Sequence, residues 1–511
     1  MSIGPQLDTL EARGLIRIAA LQPELEYLFR HALVQDAAYD SLLKQERRSI
    51  HRTVGQALEL LYPERRAELA AVLARHFEQA GEAEQAIRYL TEAAGFAYAR
   101  NAIVESYELY SRAAALLPSP DPTDAEPLRR QRIEIDLGRL KAGLPFLGEE
   151  QSFALLEPLV LEADRLGDPK LAADVHMHGL FLRQYRGERP ATSPELRRTL
   201  DRVAEIGRQL GDPSIAGLAS SLIGLFKVFT GDLLEGVERL REAAPLLEQR
   251  RAFVGSSFAL VALAIGLARL GDFDEAAAAA RRASALAENG DLIARLDALI
   301  GESQVRSVRG DLAGAEPIAL ECANLSQETG ATACLVASSF VLGDVLMRQG
   351  RYGDAKIAFE RGGAVAEVTE QKIFRPSIAA YLRATAANLG DFGPKARSFD
   401  EALSEARSVG DRWGEANVLW KRAETELRQA DGKRDQALDD LAAAAAAFES
   451  MSARPFHARV LRDWGSALRQ HGAADLGDQR LAQALAIFEG LGLAAEAAEV
   501  RAELAVSGGA S

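Results

Sequence analysis

The sequence predicts an all-α fold in which helical hairpins stack into a superhelical solenoid, with a small α/β segment at the N-terminus. Two interleaved sets of glycines predict it. The first recurs at intervals of roughly 40 residues and comprises Gly231, Gly271, Gly310, Gly350, Gly390, Gly432 and Gly472. The second is offset by half that interval and comprises Gly211, Gly290, Gly330, Gly410 and Gly490. Because glycine often ends helices, these stops predict helices of about 18 residues, paired and stacked.

Composition supports helices and limits the partners. The 511 residues include few aromatics (6%) and are rich in Ala, Leu, Glu and Arg, which favour helices. The net charge of −14 disfavours nucleic acid as a partner, since an acidic chain repels phosphates. Two cysteines, Cys322 and Cys334, are too few for a disulfide framework and fit a reducing cytoplasm.

No membrane partner is expected. The first residues have neither a basic nor an apolar region, so we expect no signal peptide. The longest apolar stretch, 254–268, is shorter than the roughly 20 residues that span a bilayer. It also lies in phase with the repeats, which predicts a buried helix.

The pattern divides the chain into three predicted domains: 1–62, 63–200 and 201–511. The first is a partial winged-helix segment, with a helix at 7–15, two short strands around a turn containing Pro23, and a helix at 38–61. The second holds irregular first helical repeats, because proline-rich loops at 118–127 and 187–194 interrupt it. The third holds the regular repeats.

Seven Gly-Asp pairs are predicted to be hairpin corners rather than catalytic sites. Glycine accepts the left-handed conformation that ends a helix, and aspartate caps the next helix. The pairs are at 167–168, 211–212, 231–232, 271–272, 310–311, 390–391 and 410–411.

Apolar and small residues within the repeats follow a known template. The positions of Leu342, Gly343, Leu346, Ala355 and Phe359 resemble those of a tetratricopeptide repeat. The resemblance covers about 65–490 and implies a tetratricopeptide-like superhelix. The longer, 40-residue interval resembles the superhelical sensor domains of bacterial signalling ATPases.

Two N-terminal segments, 27–43 and 73–81, resemble a part of large bacterial regulators. In that family a STAND-class signalling ATPase, often preceded by an adenylyl or guanylyl cyclase domain, leads through a winged helix into such repeats. The chain has no G-x-x-x-x-G-K-[ST] loop and no evident strand with paired metal-binding aspartates. We therefore expect the C-terminal sensor portion of such a regulator, with no enzyme activity and no cofactor.

The histidines are predicted to be structural, and no metal site is expected. His31, His51 and His76 lack a Cys or carboxylate at ligand spacing, and His176 and His178 are two apart on one helix. The cysteines are interpreted as buried small hydrophobes. Trp413, Trp420 and Trp464 are interpreted as packing residues.

The candidate binding surface is the concave groove, which the first helix of each pair lines in tetratricopeptide repeats. Its predicted inward positions are Arg269, Gln304, Asp344, Arg348, Asn388, Lys421, Thr425, Arg428, Arg459, Arg462 and Arg469. A groove that turns basic toward the C-terminus would suit an acidic peptide or a terminal carboxylate. The alternative is that arginine at a helix C-terminus only complements the helix dipole.

The leading hypothesis is a non-enzymatic sensor module. It binds a protein or peptide in the groove and signals to an ATPase or cyclase module, through altered curvature or a released contact with the N-terminal region. The alternatives are the sensor domain of a transcription regulator and a stand-alone scaffold or adaptor.

Overall fold

A computed structural model describes residues 3–20, 26–100, 102–121, 123–144, 147–185, 193–249, 253–288, 292–369, 371–372, 374–393, 397–429 and 433–507. Within these ranges it contains 25 α-helices, one short 3-10 helix and one two-stranded sheet. The all-α prediction, with a small α/β segment at the N-terminus, is confirmed. The turn at Pro23 and the loop at 187–192 lie outside the described residues.

The chain forms two compact units. The N-terminal unit comprises 1–97 and 105–122, and the repeat unit comprises 98–104 and 123–511. These units are defined by contacts between residues in the structure. The domain boundaries after residues 62 and 200 are based on the sequence pattern alone and stay a prediction.

The N-terminal unit begins with a helix and a hairpin, as predicted. Helix α1 (Gly4–Ala12) precedes strands β1 (Ile16–Ala20) and β2 (Glu26–Phe29), which pair antiparallel. The predicted single helix at 38–61 is wrong, because the structure has α2 (Ala32–Asp40) and α3 (Lys44–Leu61). Leu43 between them is extended, and its backbone N–H donates to the Glu46 carboxylate at 2.8 Å, which starts a new helix.

Three longer helices follow. After a 3-10 turn (Pro63–Arg65) come α4 (Arg66–Ala80), α5 (Ala83–Ala99) and α6 (Ile103–Leu116). Phe77 of α4 stacks on Tyr89 of α5 with ring centroids 5.6 Å apart, and both are fully buried. This pair lies at the core of the unit.

The repeat unit is a succession of helical hairpins. Its helices are α7 (Glu126–Gly143), α8 (Glu149–Leu166), α9 (Pro169–Tyr185), α10 (Pro194–Leu210), α11 (Pro213–Thr230), α12 (Leu233–Gln249), α13 (Phe253–Leu270), α14 (Phe273–Ala287), α15 (Leu292–Val308), α16 (Leu312–Thr329), α17 (Thr332–Arg348), α18 (Tyr352–Val368), α19 (Arg375–Asn388), α20 (Phe399–Ser408), α21 (Arg412–Glu426), α22 (Arg434–Ser450), α23 (Arg454–Gln470), α24 (Ala474–Gly490) and α25 (Ala494–Ser507).

Most of the glycines predicted to end helices have the left-handed backbone that this role requires. The described ones with positive φ are Gly211, Gly231, Gly271, Gly310, Gly330, Gly350, Gly390, Gly410 and Gly472. The prediction that Gly490 makes a corner is wrong, because Gly490 is the last residue of α24 and Gly492 (φ 68°) makes the turn. Ser452 (φ 59°) takes this role between α22 and α23. Gly290 and Gly432 lie outside the described residues.

The aspartates of the Gly-Asp pairs have two different roles. Asp212, Asp311 and Asp411 cap the following helices, accepting backbone N–H groups at 2.8–3.0 Å. Asp232 and Asp272 instead face Arg412 and Arg454, about 180 residues later in the chain. These two corners therefore also make long-range contacts.

Small residues let the helices cross closely, as the tetratricopeptide template requires. A Cβ on Gly343 of α17 would lie 2.6 Å from the Phe359 ring of α18. Helix α11 is long and apolar enough to cross a membrane, yet 56% of it is buried within the protein, as in a core helix. The apolar stretch at 254–268 lies in α13, which is buried from Ala259 to Ala268.

The repeat unit turns back on itself after five hairpins, so that α21 contacts α11 and α23 contacts α13. Arg412 pairs with Asp232 at 3.3 Å. Arg454 donates to the Leu270 carbonyl at 3.0 Å, and Arg459 donates to the Val308 carbonyl at 2.7 Å. Successive turns of this superhelix are therefore in direct contact.

Candidate functional site

A cavity of about 590 Å³ lies among the first helices of successive hairpins. We call it the main cavity. Helices α17, α19, α21, α23 and α25 contribute most of its lining. The lining includes Asp344, Met347, Arg348, Tyr352, Tyr381, Trp420, Lys421, Glu424, Leu427, Arg428, Phe456, Arg459, Arg462, Asp463, Glu496 and Glu499.

The predicted inward residues fall into three groups. Six line the main cavity: Asp344, Arg348, Lys421, Arg428, Arg459 and Arg462. Arg269 and Gln304 line a second cavity of about 40 Å³, the small cavity. Asn388, Thr425 and Arg469 line neither. Whether a partner contacts any of them stays a prediction.

The main cavity is not basic, which corrects the expectation of a positively charged groove. Five cationic side chains line it, namely Arg348, Lys421, Arg428, Arg459 and Arg462. Five carboxylates match them, namely Asp344, Glu424, Asp463, Glu496 and Glu499. The same helices also place carboxylates in the cavity wall, so the cavity does not favour a purely acidic ligand.

One polar network joins α19 to α21. Lys421 Nζ pairs with Glu424 at 2.9 Å, and the Asn388 amide donates to Glu424 at 3.3 Å. Arg428 Nε donates to the side-chain amide oxygen (Oδ1) of Asn388 at 3.0 Å. Burial alone would raise the pKa of Glu424, but the Lys421 ammonium overcomes this effect and lowers it. The carboxylate is thus held charged inside the cavity.

Aromatic rings surround the same lysine. Lys421 Nζ lies 4.0 Å from the Trp420 ring centroid and 4.7 Å from that of Tyr381. The Trp420 indole N–H donates to Asp463 at 2.8 Å, and the Tyr381 hydroxyl donates to Asn417 at 3.1 Å. Burial raises the pKa of Tyr381 well above its usual value, so it stays a neutral donor. These contacts fix a cation between two aromatic faces.

Glu496 and two arginines form a buried ionic group, the Glu496 cluster, where successive turns meet. Arg459 and Arg348 donate to the same Glu496 oxygen, at 2.8 and 3.2 Å. Arg348 also donates to the Ser307 carbonyl at 2.6 Å. Burial, with the positive charge of Arg348, lowers the pKa of Arg459 to about 10. The cluster therefore joins α15, α17, α23 and α25 at one edge of the main cavity.

Four of the five histidines interpreted as structural contact another side chain or the backbone. His51 and His76 contact one another, His176 accompanies Asp164, and His178 faces the Asp174 carbonyl. His31 precedes α2 and is exposed. No three His, Cys, Asp or Glu side chains of the described ranges converge as metal ligands.

Cys322 and Cys334 are free thiols in the core, in agreement with their interpretation as small hydrophobes. Burial raises the pKa of Cys322 to about 12. Such a thiol is unreactive at neutral pH.

Comparison with known proteins supports the fold. No family model matches the chain. An uncharacterized protein of Rhizobium meliloti (strain 1021) is 26% identical over 162 residues, which are 31% of this chain and 15% of that protein. The match thus spans about a sixth of the length of that relative.

Among solved structures, a Rap protein complexed with Competence and Sporulation Factor superposes with a TM-score of 0.52 and 13% identity, covering 71% of this chain and 99% of that one. A Cut9–Hcn1 assembly of the APC/C superposes at 0.46 with 12% identity, covering 91% and 89%. A STAND protein with a tetratricopeptide repeat sensor from Pyrococcus horikoshii superposes at 0.35 with 13% identity, covering 82% and 71%. The Rap superposition, together with the stacked helical hairpins, shows that the chain has a tetratricopeptide-like solenoid fold.

Several lining residues escaped prediction from sequence. Glu424 could have been found from its spacing, three residues after Lys421 on one helix face. Glu496 could not, because it reaches Arg348 across 148 residues of sequence. Trp420 and Trp413 were interpreted as packing residues, and they line the main and the small cavity, respectively.

Proposed function

We propose that the repeat unit is a non-enzymatic regulatory module that binds a peptide segment in the main cavity. The observation that carries this proposal is a cavity of about 590 Å³ with ionised and aromatic walls. Sites for small ligands typically have volumes of about 300–1,000 Å³ and few, fixed polar groups. A short peptide segment fits that size.

The balance of charges narrows the ligand. Five cations and five carboxylates line the cavity, so a segment with both acidic and basic groups is complementary to it. Trp420 and Tyr381 add flat surfaces for an apolar or cationic side chain. The Rap structure is a complex with Competence and Sporulation Factor, and this supports only the suitability of such a solenoid for holding a ligand.

The proposed role is to signal ligand occupancy to a catalytic module. The resemblance of 27–43 and 73–81 to large bacterial regulators supports an ATPase or cyclase module, in the same polypeptide or in another one. Because Arg348 and Arg459 lie both in the cavity wall and in the Glu496 cluster, a ligand that engages them changes the contact between turns. Such coupling requires different affinities for the two states. In the two alternatives, a transcription regulator and a scaffold, the same peptide-binding step would control a different output.

The test is selection of dodecapeptides from a random displayed library on the full chain, followed by fluorescence anisotropy with the best peptide. We expect Arg428→Glu to weaken binding at least tenfold, since it reverses a cation in the cavity. The matched control is Arg282→Glu, which reverses a similarly half-exposed arginine of α14 that pairs with Glu248 of α12. Unchanged affinity in Arg428→Glu, or no selected peptide, would contradict the proposal.

A further inference from the structure

The small cavity holds a buried cation without an ionic partner. Arg269 is 5% exposed, donates from Nη1 to the Val228 carbonyl at 2.8 Å, and lies 3.9 Å from the centroid of the Trp413 ring. Its Nε has no hydrogen-bond partner. Within the described residues no carboxylate lies within 4 Å of this guanidinium. A buried charge in this state is costly unless an anion joins it.

Asp411, whose charge acts on Arg269, does not supply that anion. Burial lowers the pKa of Arg269 to about 9, and the negative charge of Asp411 opposes this shift only in part. One oxygen of Asp411, however, accepts the Gly414 N–H at 2.8 Å and caps α21. The guanidinium therefore remains under-coordinated beside a cavity of about 40 Å³, which is the size of one carboxylate group rather than of a whole ligand.

The walls of the small cavity suit a carboxylate. Gln304 and Ser377 line it, and each can donate a hydrogen bond. Phe229, Phe340 and Phe374 also line it, so much of its wall is apolar. We propose that the small cavity binds a single carboxylate, with Arg269 as its cationic partner and Gln304 and Ser377 as further donors. A planar guanidinium presents two parallel N–H groups that match the two oxygens of a carboxylate.

The small cavity lies beside the main cavity along the same two helices. On α17, Phe340 and Val341 line the small cavity, and Asp344 lines the main one. On α19, Ser377 lines the small cavity and Tyr381 the main one. Residues three or four apart are neighbours on a helix face, so a ligand in the main cavity can reach Arg269 with a carboxylate. Contact between Arg269 and a ligand of the main cavity rests on the proposed function, whereas carboxylate binding in the small cavity does not.

The first experiment measures sodium formate binding to the full chain by isothermal titration calorimetry, with formamide as the neutral control. We expect saturable binding of formate and none of formamide. Arg269→Gln should abolish it, and Gln304→Leu should weaken it about tenfold, since that change removes one donor without removing the cation. The proposal is overturned if formate does not bind the unaltered chain. It is also overturned if the Gln304→Leu and Arg269→Gln variants, both still folded, bind formate with the same affinity as each other. Equal, Arg269-dependent binding of chloride also overturns the assignment to a carboxylate.

The second experiment identifies the source of the carboxylate. A peptide selected for the main cavity is compared with its C-terminally amidated form. A tenfold loss on amidation, absent in Arg269→Gln, assigns the site to the peptide terminus. Equal affinities, with formate binding retained, assign it to a free small carboxylate. If no peptide binds but formate does, the proposed function fails and this inference stands.

Discussion

At the scale of single residues, two histidines of the N-terminal unit share one hydrogen bond. His51 Nδ1 lies 2.9 Å from His76 Nδ1, and His51 Nε2 lies 3.0 Å from the Tyr39 hydroxyl. Burial, and then the positive charge of Arg75, lower the pKa of His51. Burial, His51 and Arg75 lower that of His76. Two protonated rings would direct donors at one another, so the pair is stable only when at least one ring is neutral.

We expect acid to loosen α3 and α4. A histidine whose pKa is lower in the folded than in the unfolded state, where it is about 6.5, stabilises the fold above that pH. This contribution is lost as the pH falls below 6.5 and through the lowered pKa values. Amide exchange in α3 and α4, corrected for intrinsic rates, should accelerate at pH 5.5 relative to pH 7.5. His76→Gln should reduce that acceleration, and His471→Gln in the repeat unit should not. Identical pH dependence in His76→Gln would contradict this account.

At the scale of helices and corners, left-handed glycines occupy different surroundings. A Cβ on Gly350 would meet nothing within 4 Å. A Cβ on Gly231 would lie 2.3 Å from the Met451 sulfur and 3.3 Å from the Trp413 backbone nitrogen. Both glycines begin the same kind of corner between two helices. Of the two, only Gly231 faces the next turn of the superhelix.

This difference predicts unequal costs for the same substitution. Gly350→Ala should destabilise the protein by about 1 kcal/mol, the cost of a left-handed alanine. Gly231→Ala should add roughly 1–3 kcal/mol, because the new methyl group pushes α11 away from α21 and α22. Urea denaturation midpoints for both variants provide the comparison. Equal midpoints would show that the corner at Gly231 is not tightly packed.

The glycine period predicts most helix ends, but it does not predict the corner at Ser452 or the break at Leu43. A repeating glycine marks a left-handed corner whatever surrounds it, and so the regular hairpins could be predicted. Ser452 gives no such signal, since serine rarely has positive φ. The break at Leu43 depends on one side chain, Glu46, which accepts a backbone N–H. Local chemistry of this kind overrides apolar spacing that suits a continuous helix.

At the scale of the molecule, the contact between successive turns of the repeat unit was not predictable. Helical period places Arg348 and Arg459 on inward faces, and they do line the main cavity. It does not show that Arg348 reaches Glu496, because that contact depends on the accumulated rotation of about four hairpins. The same rotation brings the small cavity together, since Arg269 and Trp413 come from different turns.

Removing the shared carboxylate should open this contact. Glu496→Gln leaves the buried Arg459 guanidinium and the partly exposed Arg348 guanidinium without their anion, and breaking a buried pair in this way typically costs about 3–5 kcal/mol. The control Glu499→Gln removes the exposed partner of Arg462 and should cost about 0–1 kcal/mol. Urea denaturation measures the cost, and small-angle scattering should show a larger radius of gyration only for Glu496→Gln. Similar midpoints and radii for both variants would contradict a structural role for the Glu496 cluster.

Contact between the turns also bears on how the chain folds. An open array of repeats contains only local contacts, so folding can start in any hairpin and spread to its neighbours. Here, hydrogen bonds join residues 151, 180 and 184 positions apart. Closing such long loops has an entropic cost that local contacts do not have. The hairpins can therefore form early and quickly, whereas the superhelix closes last, in a slower step that makes unfolding of α11–α13 and α21–α25 cooperative.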